Sequence, residues 1–205
     1  MIKTIGISGP TSSGKSFIAK RLNQIINIPS SVFNQDHYYY LEADQPKDEN
    51  GAANFDTPES LDLDLFKQHF FDLQAGRDVE KERYNYNKPL NGLSPFVEFK
   101  SAPLIIVEGI FIFHDPELFN SYDLTIFIDI DPKIQLERRL KRDWIERGYD
   151  KDDVMYKFEN HIHQSFKKYL LPFKDKTDFY IDNSSIQINE IEEYLKEIAN
   201  KIEGK

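Results

Sequence analysis

The sequence predicts an α/β fold, a central parallel sheet layered between helices. Three observations carry that expectation. Short apolar runs alternate with amphipathic stretches along the chain, the pattern of repeated β-α units. Residues 104–107 are apolar without a break, and 124–130 nearly so, as strands covered on both faces are. A loop of small residues, 9–14, joins the first strand to the first helix.

The elements follow in order. Residues 1–7 alternate and are rich in Ile, a buried strand. Over 16–26, Ile18, Leu22, Ile25 and Ile26 share one helical face, with Lys20, Arg21 and Asn23 on the other, and Pro29 stops the helix. Residues 31–34 are a second strand that runs out at Asp36, and 42–54 form a polar surface loop. Thr57 as cap and Pro58 at the first helical position open the next helix, which Gly76 closes. Over 79–99, Tyr, Phe and Val surround Asn91-Gly92, a hairpin signal. After the strands 104–107 and 124–130, Asp131-Pro132 caps a helix that is basic through Arg147. A further helix covers 153–171, and 179–182 is the last strand. Ile188, Ile191, Leu195, Ile198 and Ile202 form the core-facing stripe of a C-terminal helix.

The chain has 205 residues and a net charge of −9. That length suits a single domain, 1–205, and 40% hydrophobic residues can fill its core. The absence of cysteine excludes disulfides, thiolate metal sites and a Cys nucleophile. The acidic balance argues against nucleic acid and anionic membranes as partners. No apolar run reaches the ~18–20 residues of a membrane span, and no signal-peptide pattern precedes the first strand. The expectation is a cytoplasmic protein with a small-molecule substrate.

Gly9, Pro10, Thr11, Ser12, Ser13, Gly14, Lys15 and Ser16 spell G-x-x-x-x-G-K-[ST] between a strand and a helix, the context this phosphate-binding loop requires. Its glycines let successive N–H groups converge on phosphate oxygens, and the helix N-terminus adds positive potential. Lys15 is placed for the β- and γ-phosphates of a nucleotide, and Ser16 for Mg²⁺.

Such a loop marks nucleotide binding and leaves the reaction open. A GTPase would carry an Asn-Lys-x-Asp reader, but Asn87-Lys88-Pro89-Leu90 lacks the Asp. Asp48-Glu49-Asn50-Gly51 matches D-x-x-G, yet follows no strand. A transport ATPase would need a glycine-rich signature that nine glycines do not form. A small-molecule kinase needs an acceptor base, a magnesium-side carboxylate and an arginine lid, and each has a candidate. Asp36, past the second strand, falls at the carboxyl edge where such sheets bind ligands and can take the proton of an attacking hydroxyl; Asp in such a place also caps turns. Glu108 ends an apolar strand, where burial demands a partner such as a metal-bound water, unless it faces solvent. Arg138, Arg139, Arg142 and Arg147 stand in a stretch, 133–147, with six basic and three acidic residues. They suit the oxygens of a transferring phosphoryl group, or a solvated face with Glu137, Asp143 and Glu146 as partners. His161 and His163, two apart, do not share a helix face and are no metal pair. His69 and His114 have no companions in sequence.

With these residues the chain resembles the uridine kinase (uridine–cytidine kinase) family of P-loop kinases over nearly its whole length. The likeness lies in residues 9–16, in Asp36-His37-Tyr38-Tyr39, and in Asn54-Phe55-Asp56-Thr57-Pro58 with the helix, Gly and hairpin that follow. It continues in Val107-Glu108-Gly109-Ile110, in 138–143 with Glu146-Arg147-Gly148, and in Leu171-Pro172-Phe173-Lys174 and Thr177-Asp178. The resemblance implies a P-loop NTPase three-layer sandwich with a β-hairpin insertion (about 79–99) and a helical lid (about 132–150). It implies Mg²⁺-dependent transfer from ATP or GTP to the 5′-hydroxyl of a nucleoside, uridine or cytidine first, and homo-oligomers. In that reading Asp36 is the base, Asp56 holds the ribose hydroxyls, and Tyr84 lies beside sugar and base. Arg139 is on the substrate side, Arg142 and Arg147 on the phosphate side, and Glu108 and Ser16 serve the metal.

The chain departs from the family where the base is read. A His that bonds the pyrimidine falls on Pro89, Tyr149 replaces an Arg in the lid, and a base-reading Gln falls on Lys157. Loss of a hydrogen bond built into a site can shift selectivity by orders of magnitude. Other ribose-bearing or small alcohols, such as a pyridine nucleoside or pantothenate, stand as alternative acceptors, and a nucleotide-binding regulatory module as the alternative of another class.

Overall fold

The computed structural model describes residues 2–86, 94–185 and 188–205, and the side chains of all of these except residue 188. Five parallel strands build the main sheet in the order β2-β5-β1-β6-β7: β1 (Lys3–Ser8), β2 (Ser30–Asn34), β5 (Leu104–Glu108), β6 (Leu124–Asp129) and β7 (Phe179–Asp182). A separate antiparallel pair, β3 (Val79–Glu82) and β4 (Phe96–Phe99), lies off the sheet. The Asn91-Gly92 turn signal falls outside the described residues.

Helices α1 (Lys15–Ile25) and α7 (Ile188–Glu203) cover one face. There Ile18 and Leu22 meet Leu195 and Ile198 over Ile5, Ile7, Ile106, Ile126 and Ile128. The apolar stripe of the C-terminal helix is therefore core, since Ile191, Leu195, Ile198 and Ile202 are all buried. The other face carries α2 (Leu63–Gln74) and an aromatic core in which Phe33, Phe66, Phe70, Phe111, Phe113 and Phe127 pack on Ile105 and Val107. Two covered faces make three layers, which explains the nearly unbroken apolar strands.

The register places the site. Asn34 and Ile7 both lie opposite Glu108. Strands β2, β5 and β1 thus end level, and the segments that leave them emerge at one edge.

Some elements differ from the sequence expectation. Thr57 and Pro58 do not open α2; Pro58–Ser60 is one 3₁₀ turn, and α2 starts after Asp62, whose side chain accepts the Leu65 N–H at 3.0 Å. Both places carry a capping residue. Leu61 between them is extended and bridges Tyr39, with the Tyr40 N–H donating to the Ser60 carbonyl at 3.1 Å and the Asp62 N–H to the Tyr38 carbonyl at 2.9 Å, so the helix cannot run through from Pro58. The short α3 (Pro116–Ser121), capped by Asp115, has too few turns to show an apolar stripe. The basic helix is regular only over α4 (Pro132–Arg139) and widens into π-type turns through Leu140–Glu146. The helix expected over 153–171 starts earlier, as α5 (Lys151–Lys157). It then alternates π-type turns at Phe158–Ile162 and Phe166–Leu170 with the single turn α6 (His163–Ser165). Such widened turns gather at functional sites. His69 also has a companion: its Nδ1 lies 2.7 Å from the Tyr38 hydroxyl.

Phe66 anchors the aromatic layer, stacked on Phe33 at 4.7 Å between centroids and edge-on to Tyr38 at 5.1 Å. Phe66→Ala is expected to lower the unfolding free energy by about 3–5 kcal/mol. Urea titration reads this, and a loss under about 1 kcal/mol would contradict the packing.

Candidate active site

The loop 9–16 is held in its curl from outside. Gly9 has φ +149°, and a Cβ there would stand 2.0 Å from the Ile128 carbonyl oxygen. Gly14 has φ +101°, and its Cβ would stand 2.6 Å from Asn183 Nδ2, which donates to the Ser13 carbonyl at 2.7 Å. Gln135 Nε2, from α4, donates to the Thr11 carbonyl at 2.9 Å. These bonds hold the carbonyls of Thr11 and Ser13, while the Ser13 N–H donates to the Pro10 carbonyl at 3.2 Å and closes the turn from within. The hydroxyls of Ser12 and Ser13 are buried without a hydrogen-bond partner, which suits a loop that takes a polar ligand.

Lys15 is buried, and its ammonium donates to the carbonyls of Gly9 (3.0 Å) and Pro10 (2.9 Å). Burial pulls its pKa down, while Glu108 and Asp36 partly oppose this. Glu108 is 2% exposed and accepts the Ser16 hydroxyl at 2.8 Å. Burial first, and then the neighbouring Asp36 carboxylate, push the Glu108 carboxyl up to about 7. Such a group calls for a cation. Among the described residues no cluster of three or more His, Asp or Glu side chains could cage a metal. Ser16 and Glu108 instead offer the few hard oxygens that Mg²⁺ uses beside a substrate's phosphates.

Asp36 sits in the turn after β2, where Asn34 Oδ1 accepts its N–H at 2.6 Å. Gln35 fixes the same turn by accepting the Phe111 N–H at 2.9 Å. The Asp36 side chain stands where two clefts meet. One is lined by Ser12, Lys15, Ser16, Glu108 and Arg138, the other by Asp56, Tyr84, Arg139 and Arg147. Arg142 and Thr11 also border both.

The arginines do not act as one face. Arg138 turns to the phosphate side and donates to the Asn183 carbonyl at 3.1 Å. Arg139, Arg142 and Arg147 converge on Asp143, at 3.3, 2.8 and 2.9 Å. Asp143 is buried, which pushes its carboxyl up. The Arg142 hydrogen bond, with Arg139 and Arg147 behind it, outweighs this and holds the pKa below its ordinary value. Arg142 also donates to the Thr11 hydroxyl at 3.2 Å, which joins the cluster to the phosphate loop.

The second cleft has an aromatic wall. Tyr84 and Tyr86 meet edge to face at 4.7 Å, with Tyr39 beside both and Phe55 beyond it. The Arg147 guanidinium lies 4.0 Å over the Tyr86 ring. Burial and the Asp36 carboxylate hold the Tyr86 phenol well above its ordinary pKa. His37 Nδ1 accepts the Tyr84 N–H at 3.3 Å and so ties the hairpin segment to the Asp36 turn. Asp56 is buried at the cleft, its N–H bonded to Asn54 Oδ1 at 2.9 Å. Lys157 lies 2.8 Å from Asp153 and over Phe55 at 5.6 Å; with Tyr149 it lines this cleft. Pro89 is outside the described residues.

The structure therefore brings together all the candidates named from sequence. It adds Asp143, Gln135, Asn183, Tyr39 and Tyr86. Of these Tyr39 stands in the motif at 36–39, and Asp143 enters the sequence reading as a partner of the arginines only under the alternative of a solvated face; the structure keeps the pairing and buries it.

Residues 4–189 match the Phosphoribulokinase / Uridine kinase family. A uridine kinase of Proteus mirabilis is 34% identical over 182 residues, covering 86% of this chain and 85% of its own. A uridine kinase of Bacillus cereus is 30% identical over 202 residues, covering 98% of this chain and 95% of its own. In fold, the chain is similar to phosphoribulokinase from Rhodobacter spheroides, with TM-score 0.64 at 14% identity over 88% of this chain and 70% of that one.

The state of Glu108 has a consequence for stability. Its carboxyl binds a proton more tightly folded, near 7, than unfolded, near 4.5. Its contribution is thus fully present below about 4.5 and lost as the pH rises through about 7. Glu108→Gln removes the ionisation. Measured in EDTA by urea unfolding, the variant's stability relative to the parent is expected to rise between pH 5 and pH 8. A flat difference would contradict the burial assigned to this carboxyl.

Proposed function

This chain belongs to the Phosphoribulokinase / Uridine kinase family, and we propose that it transfers the γ-phosphate of ATP, or of GTP, to the 5′-hydroxyl of a nucleoside, uridine or cytidine first. The kinase assignment rests on the family and on the relatives named uridine kinase. The single observation that carries the mechanism is Asp36 at the junction of a phosphate-side cleft and an aromatic one.

The donor's phosphates lie on the amides of 9–16, with Lys15 at the β,γ end. Ser16 and Glu108 would hold Mg²⁺, which when bound neutralises charge on the phosphate oxygens. The acceptor lies in the second cleft. Asp56 accepts from its vicinal ribose hydroxyls, a task that suits a carboxylate with two oxygens. Tyr84 and its aromatic neighbours pack against the sugar and base. Asp36 takes the proton of the 5′-hydroxyl as that oxygen attacks. Arg139, Arg142 and Arg147 set fixed positive charge along the path, where it offsets the charge of the transferring group. As the arginine segment closes it excludes water, which limits hydrolysis of the donor.

A second reading has its own observation. Lys157 and Asp153, paired at 2.8 Å, both line the acceptor cleft, and a donor beside an acceptor suits a carboxamide head such as that of a pyridine nucleoside.

ADP release measured across a panel of nucleosides and small alcohols tests these readings. Stimulation by uridine and cytidine supports the first choice, and stimulation only by other compounds rejects it. Asp36→Asn is expected to lower transfer by roughly 10²–10⁴-fold while nucleotide affinity stays within about threefold. Nucleotide binding without stimulation by any acceptor would mark a regulatory module instead.

A further inference from the structure

The two walls of the acceptor cleft come from distant parts of the chain. Phe55 and Asp56 stand on one, Asp153, Val154 and Lys157 on the other. A tie between them lies outside the cleft. Asp48 Oδ1 accepts the N–H groups of Asn50 (2.9 Å) and Ala52 (2.8 Å), closing a turn in its own loop. Asp48 Oδ2 accepts the hydroxyl of Tyr156 (2.7 Å) and His161 Nε2 (2.8 Å), both on the helical segment across from it. Asn50 Nδ2 donates to the same Tyr156 hydroxyl at 2.7 Å. The His161 side chain is 3% exposed and that of Asp48 15%, so solvent competes little for these bonds. The hydrogen bonds from Tyr156 and His161 also hold the Asp48 carboxyl well below the usual carboxylate range.

The loop closes without the Oδ2 bonds. Gln45 Nε2 donates to the carbonyls of Tyr40 (2.7 Å) and Ser60 (3.2 Å), which joins the two ends of the stretch. Lys47 bridges to Ala53, and Asp48 Oδ1 closes the turn between them. What Oδ2 adds is a link to the helical wall. We propose that Asp48 is a positioning residue that clamps the segment bearing Phe55 and Asp56 to α5 and so sets the width of the acceptor cleft. This inference rests on the nucleoside-kinase reading, which assigns that cleft to the acceptor.

Two variants weaken the link and spare the turn, Asp48→Asn at both partners and Tyr156→Phe at one, since His161 then keeps its bond to Asp48. Asp48→Asn keeps Oδ1 on the turn but presents a nitrogen that cannot accept from Tyr156 or His161. Tyr156→Phe removes only a hydroxyl. In both, the acceptor's KM is expected to rise roughly tenfold, with kcat within about threefold and the KM for ATP unchanged. Hydrogen exchange of 42–54 and 151–162 is expected to quicken while the sheet stays protected. Folded variants with an unchanged acceptor KM overturn the proposal, as does an equal loss in both substrates' KM. If the parent protein phosphorylates nothing in the panel, the kinase reading fails separately and exchange decides the clamp. Faster exchange confined to the two segments then retains it, and unchanged exchange overturns it.

Discussion

The site depends on strand register. Parallel pairing sets Asn34 and Ile7 opposite Glu108, so the turn with Asp36, the carboxylate of Glu108 and the loop 9–16 leave the sheet at one level. Parallel strands put their carboxyl ends on one edge, and that edge is where such folds gather ligands. A slip of one residue in β2 would reverse which of its side chains face the core and would bury Asn34 in place of Phe33. The aromatic layer under α2, centred on Phe33 and Phe66, therefore guards the position of Asp36 as much as it stabilises the domain.

The same edge concentrates charge under low exposure. Lys15, Glu108 and Asp143 are each buried. A buried charge without partners is costly, and one with well-placed partners is tolerated without adding much stability. Asp143 is satisfied by Arg139, Arg142 and Arg147, and it holds three like charges close together. Fixed charges of this kind need no rearrangement when a reacting group develops charge of its own. Glu108 differs: its cation, Lys15, gives its hydrogen bonds to carbonyls of the loop, so burial and Asp36 dominate its ionisation.

The cleft lined by Asp56 and Tyr84 is built on another principle. One part of its wall is aromatic, and the charged groups around it come in sets: Asp36 and Asp56, the pair Asp153–Lys157, and the arginines gathered on Asp143. Rings give broad contact, and isolated polar groups give orientation. Tyr149 and Lys157, where the chain parts from the family it resembles, both line this cleft.

Local chemistry made much of this legible in the sequence. The loop 9–16 is readable because Gly9 and Gly14 stand where positive φ and close neighbours leave no room for a side chain, and a lysine followed by a hydroxyl suits its chemistry. The strands are readable because both faces are covered, Glu108 because it is an acid ending an apolar run, and Asp36 because it stands just past a strand. The start of α2 was set not by Thr57-Pro58 but by the pairing of Leu61 with Tyr39, a contact between segments that the local sequence does not announce. The widened turns at Leu140–Glu146 and Phe158–Ile162 keep the helical pattern and so left no mark in it. The roles of Asp143, Gln135, Asn183 and Asp48 depend on partners brought near only by folding: Asn183 lies 170 positions from the Ser13 carbonyl it bonds. The sequence by itself determined the layers, the phosphate loop and the acids at strand ends, because backbone conformation and apolar pattern are local. The tertiary structure alone decided which arginines share a carboxylate and what holds the two walls of the cleft together, because those are meetings between side chains that spacing along the chain does not encode.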